Sequence, residues 1–368
     1  MAADPGVAPT YFLVQSPDVE PDAAVCVAVG ASARPGQVER VDGVVARVWW
    51  LAGDADDRAA AALLSTPECP AGEWAWERAE SHASVLRRDG RAVLRYEHPV
   101  FDPDRIEETK KPFHHVFDPD GRRPITKGVG GQFSHHRGIF YGYNDIRIEG
   151  EVERLDVWHG ADGEHTEHVR VLEEYAGPVM GGHRVEILWK DRGGTPFIEE
   201  ERDVRVFDLP GDELLIDVVS TLRSLRGAIA LGGDRQHAGV QFRAAQEVAD
   251  SPESTRFIRP AAWAHLPADQ EQDGAHFIDL PWNAMRFSLD GRSYTVAYLS
   301  HPSNPEGADM SERQYGRIGE FIRRTISPTE PSTLRYRFWI SADRPIGRED
   351  IARRHAEFAG SAHPAGGR

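Results

Sequence analysis

Apolar and polar residues alternate along most of this chain, broken roughly every ten residues by Gly, Pro, Asn and Asp turn signals. A period of two sends successive side chains to opposite faces of an extended backbone, so the pattern specifies half-buried β-strands. Three runs carry a tight turn at their centre. They are 84–98 turning at Asp89–Gly90, 183–207 at Gly193–Gly194, and 283–301 at Asp290–Gly291. Such pairs supply the positive φ that two-residue hairpin turns need. Segments 44–52 and 73–80 read as further strands. The expected class is all-β, with large antiparallel sheets packed face to face. Helical patterning is confined to 59–65 and to 348–359, where Ile351, His355 and Phe358 would share one face.

Segment 70–74 (PAGEW) is a candidate boundary. The expected organisation is a small β-rich region over 1–78, a sandwich over 79–345, and a helix with a tail over 346–368. The first region would cap a sandwich edge against pairing with other chains. With 368 residues and a formal net charge of −16, the chain is long enough for a sizeable core and would repel nucleic-acid phosphates. Cys26 and Cys69 are the only cysteines; they could pair, but two separate buried thiols are the expectation. The N-terminus carries no basic and apolar signal pattern, and no run approaches the length of a membrane span. The expectation is a cytoplasmic protein acting on a small sugar or glycosylated metabolite, with no membrane partner; oligomeric state is left open.

Nine of the sixteen histidines fall between His98 and His183. Imidazole exchanges protons near neutrality and binds first-row metals, so this stretch marks the expected chemistry. In 128–145 a glycine-rich lead-in precedes His135, His136 and Arg137. On an extended backbone only one of the two histidines would face a given cleft. In 157–169, Trp158 offers a flat face for a sugar ring. In the same stretch His159, His165, Glu167 and His168 form an alternative divalent-metal set, although no helical H-E-x-x-H is present. No cofactor is otherwise expected.

Strand 237–245 would turn Ala238, Val240 and Phe242 to a core and His237, Gly239, Gln241 and Arg243 to a polar cleft. Glu200 and Arg202, amid apolar neighbours, read as a structural ion pair, because an unpaired buried charge is costly. Segment 300–321 gathers His301, Asn304, Arg313, Tyr315, Arg317 and Glu320 in a loop-rich stretch, with Glu320 a candidate general base. Serine-triad, P-loop and dinucleotide motifs are absent.

Segments 113–126, 134–145 (SHHRGIFYGYND), 237–243 (HAGVQFR) and 301–316 (HPSNPEG…RQYG), with the Trp189…Glu200–Arg202 spacing, resemble the PmoA-like family over roughly residues 90 to 340. That family is often labelled methane oxygenase, but a membrane-bound monooxygenase would need spanning segments that this sequence lacks. The resemblance implies a galactose-mutarotase-like β-supersandwich and an aldose-1-epimerase-type reaction at an anomeric centre. Such a reaction needs a general acid and a general base on opposite sides of a sugar. His136 or His237 would then be the acid and Glu320 the base. His135, Arg137, Trp158, Gln241, Arg243, His301, Asn304 and Arg317 would bind substrate. The asparagine-containing H-x-x-F-N segment usual around a mutarotase histidine is missing. The alternatives are a metal-assisted lyase or hydrolase acting on a modified sugar, and a non-catalytic sugar-binding protein.

Overall fold

The structure is a computed structural model that describes residues 7–15, 24–29, 32–41, 45–53, 61–64, 69, 72–80 and 82–360. The three hairpins form where the turn residues place them. Strands Ala83–Arg88 and Arg91–Glu97 flank Asp89 (φ 51°) and Gly90 (φ 79°), and strands Trp282–Leu289 and Arg292–Ser300 flank Asp290 (φ 51°) and Gly291 (φ 76°). The hairpin of Gly181–Lys190 and Pro196–Leu209 closes through the Asp191 carboxylate, which accepts from the N–H groups of Gly193 and Thr195 at 2.9 Å.

Two eight-stranded antiparallel sheets make the body of the molecule. The first runs, in spatial order, Asp309–Arg313, Arg317–Phe321, Ala238–Arg243, Ile139–Tyr143, Phe113–Val116, Arg91–Glu97, Ala83–Arg88 and Trp74–Glu80. The second runs His165–Ala176, Gly181–Lys190, Pro196–Leu209, Glu213–Ser224, Ser332–Ala342, Arg292–Ser300, Trp282–Leu289 and Arg256–Ile258. Their facing sides share one apolar core that includes Leu86, Ile139, Phe242 and Ile318 from the first, with Val185, Val204, Val296 and Phe338 from the second. Each such side chain, fully buried, contributes roughly 1.5–3 kcal/mol. The expected all-β sandwich of large antiparallel sheets is therefore present.

The outer side of the second sheet is also covered. Trp49 of strand Val45–Ala52 and Ile351 and Phe358 of helix Arg348–Gly360 pack there on Phe207, Leu215, Trp282 and Trp339. The C-terminal helix thus forms as its spacing predicts, and His355 bonds the Ser300 carbonyl at 2.9 Å. The N-terminal sheet covers a face of the sandwich rather than a free edge, and the buried Arg205–Glu39 pair at 2.8 Å ties it down. Strand Trp74–Glu80 already belongs to the first large sheet, so the change of sheet falls between Leu64 and Trp74.

Two local expectations fail. Within 59–65 the described residues Ala61–Leu64 are a strand paired with Ala24–Val29, because a sheet partner outweighs a short alanine-rich helical preference. Cys26 and Cys69 form a disulfide, with Cα atoms 5.8 Å apart, and are not separate thiols. Such bonds ordinarily persist in oxidising compartments. Among the described residues no helix is long and apolar enough to cross a membrane.

Candidate functional site: a three-histidine cluster over a cationic sheet face

Pairing places Val240 opposite Glu320 and Phe242 opposite Ile318, while Gln241 lies opposite Gly319 and Arg243 opposite Arg317. Partners across a ladder share a face, so Gln241, Arg243 and Arg317 point away from the core, as the alternation predicts. This polar face is not open to solvent. It is a bed of buried donors: Arg317 donates to Gln241 Oε1 at 2.7 Å, Ser311 Oγ at 2.9 Å and the Tyr315 hydroxyl at 3.2 Å. Gly319 makes the bed possible, since a Cβ there would collide with the Gln241 carboxamide.

Three loops cross above it. The first, 127–138, is wound around Lys127, whose ammonium donates to the carbonyls of Gly130, Phe133 and His136. Phe133 takes a positive φ of 55°, so 134–137 is a turn rather than an extended segment. Consequently both His135 and His136 enter the same site, their ring centres 4.4 Å apart, contrary to the one-in, one-out expectation. Arg137 caps the turn by donating to the carbonyls of Ser134 and Glu107.

The other two loops repeat one device, D-x-x-H. In 156–160 the Asp156 carboxylate accepts from His159 N at 2.9 Å and from His159 Nδ1 at 2.8 Å. In 233–237 the Asp234 carboxylate accepts from His237 N at 3.1 Å and from His237 Nδ1 at 2.9 Å. Burial pushes each aspartate up, but the bond from its histidine and the backbone bonds outweigh that and hold both below the usual carboxylate range. An ionised carboxylate only accepts, so each Nδ1 carries a proton, and in the neutral ring the lone pair is then on Nε2.

His135, His159 and His237 thereby present ligand nitrogens that all lie within 4.8 Å of one another. A tetrahedral ion bound at about 2.0–2.1 Å would need them about 3.4 Å apart, so binding would draw the cluster together from its present span of up to 4.8 Å. All three rings are half-buried. Burial and then the nearby Lys111 ammonium push His135 down to about 2, so its ring is neutral, the form that binds metal. A cleft of about 370 Å³ lined by Asp234, Gln236, His237, Asp273 and Arg323 opens beside the cluster.

His136 sits deeper, 2 % exposed, among Phe133, Phe140, Trp158 and Tyr315, and neither of its ring nitrogens has a partner. Trp158 is wholly buried against Phe113 and Phe140 and forms a wall rather than an open platform for a sugar ring.

The remaining sequence candidates lie elsewhere. Glu320 turns into the sandwich, where Ser300 Oγ donates to it at 2.7 Å; burial pushes its carboxyl up to about 7. It therefore does not face His136 or His237 across a cleft. His301 and Asn304 line a separate cleft of about 280 Å³ with Asp279, Glu306 and His355. The expected metal set is divided. His159 joins the cluster above, His165 stacks on Phe101 with Nε2 3.6 Å from Glu167, and His168 meets the Tyr96 hydroxyl at 3.2 Å. Strand geometry separates these last residues from the 156–160 loop. His168 belongs instead to a packed group with His98, His114 and His183, in which burial first, then neighbouring histidines and after them Arg78 or Arg202, pushes every ring down. Glu200 and Arg202 form the expected structural pair at 2.8 Å, completed by Trp189 and Ser220.

Sequence reasoning missed Asp156, Asp234, Lys111 and Lys127. The repeated D-x-x-H spacing was a readable signal for the two aspartates; nothing local marks the lysines.

No curated protein matches the sequence. Among solved structures, the chain is similar to a GalM/aldose epimerase homologue from C. elegans, with 9 % identity and a TM-score of 0.33, covering 74 % of this chain and 100 % of that one. It is similar to the Slr1438 protein of Synechocystis sp. PCC 6803 at 13 % identity and TM-score 0.33, covering 76 % and 99 %. An α-N-acetylgalactosaminidase from Bifidobacterium bifidum, solved with GalNAc, is similar at 13 % identity and TM-score 0.26, covering 72 % of this chain and 35 % of that one. Likenesses this distant carry no argument about activity. The match to a family model is of another kind: it spans residues 83–356, from the first large hairpin to the C-terminal helix, and the chain belongs to the family described as a family of unknown function, DUF6807.

Proposed function

We propose that the protein is a metal-dependent enzyme that cleaves a C–O bond of a carbohydrate-type substrate, by hydrolysis or elimination, at a centre formed by His135, His159 and His237. The observation that carries this reading is the convergence of three imidazoles, two of them oriented by their own aspartates. Carboxylate–histidine pairs of this kind fix the tautomer and raise ligand basicity in metal sites. A divalent ion held by three histidines would supply an activated water or polarise a carbonyl. The protein's own part is to orient the rings, to keep His135 neutral through burial, to line the bed beneath with Gln241, Arg243 and Arg317, and to offer His136 as a buried, unpartnered imidazole beside the cluster.

The epimerase-type alternative requires an acid and a base across one cleft. With Glu320 on the core side of its strand, that pair is not assembled. The test is to load the protein with zinc, manganese or nickel and assay a panel of aryl glycosides and oxidised sugars. Turnover that disappears on chelation, returns with metal and is lost in His237→Ala supports the reading. Turnover indifferent to chelation, with anomer exchange by NMR, replaces it with the epimerase.

A further inference from the structure

Buried cations in this protein are, as a rule, matched by carboxylates. Arg202 lies on Glu200 at 2.8 Å, Arg205 on Glu39 at 2.8 Å, Arg337 on Asp217 at 2.7 Å, and Arg259 on Glu312 at 3.0 Å. The bed beneath the histidine cluster breaks the rule. Lys111, Lys127, Arg137, Arg243 and Arg317 are all between 0 and 3 % exposed, and among the described residues none of them forms an ion pair. An uncompensated buried charge costs several kcal/mol, and burial pushes all five of these groups down, Lys111 well below its ordinary value; five such side chains together in a chain of net charge −16 call for a reason.

Three of the five have structural work. Lys111 and Lys127 hold loop carbonyls and Arg137 caps the turn. Arg317 has a partner on each of its three nitrogens, from Tyr315, Gln241 and Ser311. Arg243 is different. Its Nη1 bonds the Tyr315 and Ala244 carbonyls, but Nε and Nη2 are buried without a partner. Its guanidinium lies 4.8 Å from the centre of the Tyr315 ring, on which His136 also stacks at 6.0 Å. Four buried polar atoms therefore stand unsatisfied in one neighbourhood: two on Arg243 and both nitrogens of His136. The charges of Arg317 and Lys111 add to the field there.

We infer that Arg243 and His136 form a subsite for an acidic group of the substrate, a carboxylate or a phosphate, set beside the three-histidine centre. A planar guanidinium whose Nε and Nη2 are both unpartnered matches a carboxylate or phosphate edge, and a neighbouring imidazole completes the contact. The substrate class narrows accordingly, from a carbohydrate to an acidic one such as a uronate or a sugar phosphate. This narrowing rests on the proposed function above, but the subsite itself does not need the metal.

The experiment is calorimetric binding of D-glucuronate, D-glucose 6-phosphate, inorganic phosphate and D-glucose to the whole chain, metal-free and zinc-loaded. The expected result is that at least one acidic sugar binds about ten- to hundredfold more tightly than glucose in both forms. Which of the two prevails separates carboxylate from phosphate, and inorganic phosphate should compete with it. Arg243→Gln and the charge-preserving Arg243→Lys should each lose most of that preference. If both variants fail to fold, His136→Phe and competition in the unaltered protein give the same reading. Equal binding of glucose and acidic sugars, or no binding of any probe, overturns the inference. Preference that appears only with zinc and survives Arg243→Gln places the anion on the metal and also overturns it, while leaving the metal centre standing. Anion preference in a protein that takes up no metal supports the subsite and overturns the metal reading alone.

Discussion

Replacing Asp156 with asparagine isolates what the second carboxylate–histidine partner does for the cluster. In the present geometry one carboxylate oxygen accepts the His159 backbone N–H at 2.9 Å and the other accepts Nδ1–H at 2.8 Å. Asparagine keeps the first bond and turns its NH₂ toward Nδ1, so donor meets donor. The ring relieves this by moving its proton to Nε2, the nitrogen left for a metal when Nδ1 is bonded to residue 156. A metal then binds only after the proton moves back, and without the charge-assisted hydrogen bond that Asp156 gives the parent ring, a loss of about 1.5–3 kcal/mol. The expected weakening is therefore about ten- to hundredfold, in line with the usual effect of such partners. Competition against a chromogenic chelator at neutral pH measures the zinc dissociation constant, and circular dichroism checks the fold. Asp234 is the less clean probe, because its carboxylate also accepts from the Gln236 N–H and the Asn144 amide. If the Asp156→Asn protein binds zinc as tightly as the parent, the tautomer argument is wrong. If His159→Ala also leaves affinity unchanged, there is no centre at these residues.

Glu320 gives a pH prediction with a definite sign. Its carboxyl is pushed up to about 7 by burial, against the hydrogen bond from Ser300, so the folded state binds more protons than the unfolded state between 4.5 and that value. Stability should therefore be undiminished on the acid side of 4.5 and fall as pH rises through about 7, by an amount on the order of 3 kcal/mol. Glu320→Gln should flatten this slope and be the more stable protein in mild alkali; urea unfolding across the pH range that shows identical slopes would refute it. The Cys26–Cys69 bond closes a loop 43 residues apart in sequence. Cys69→Ser should cost up to about 4 kcal/mol in the unfolding of the N-terminal sheet. Zinc affinity should not change, because that sheet packs on the outer face of the second large sheet; a loss of metal binding in this variant would contradict the placement of the site.

The sandwich was legible because alternation and turn chemistry are local. Asp89–Gly90 and Asp290–Gly291 set positive φ wherever they occur, and the polar face of Ala238–Arg243 follows from period two. The helix at Arg348–Gly360 followed from Ile351 and Phe358 for the same reason. The 61–64 strand was not legible, since its partner, Ala24–Val29, lies far off in sequence. In the site, His135, His136 and His237 were identified individually, but their grouping was not. His159 was assigned to its sequence neighbours His165, Glu167 and His168, whereas three loops bring it to His135 and His237. Glu320 departs from the expected base position because it stands opposite Val240 across the ladder, and period two then sends its side chain into the core. Lys111 and Lys127 carry no motif, and only the folded loops show which carbonyls they hold.

The most direct measurement of the central claim is anomalous diffraction from crystals of the zinc-loaded protein, with data collected on either side of the zinc edge. The account predicts one strong peak among His135, His159 and His237, bonded to their nitrogens at about 2.0–2.1 Å. A peak at His165, Glu167 and His168, or no peak in fully loaded crystals, would contradict it.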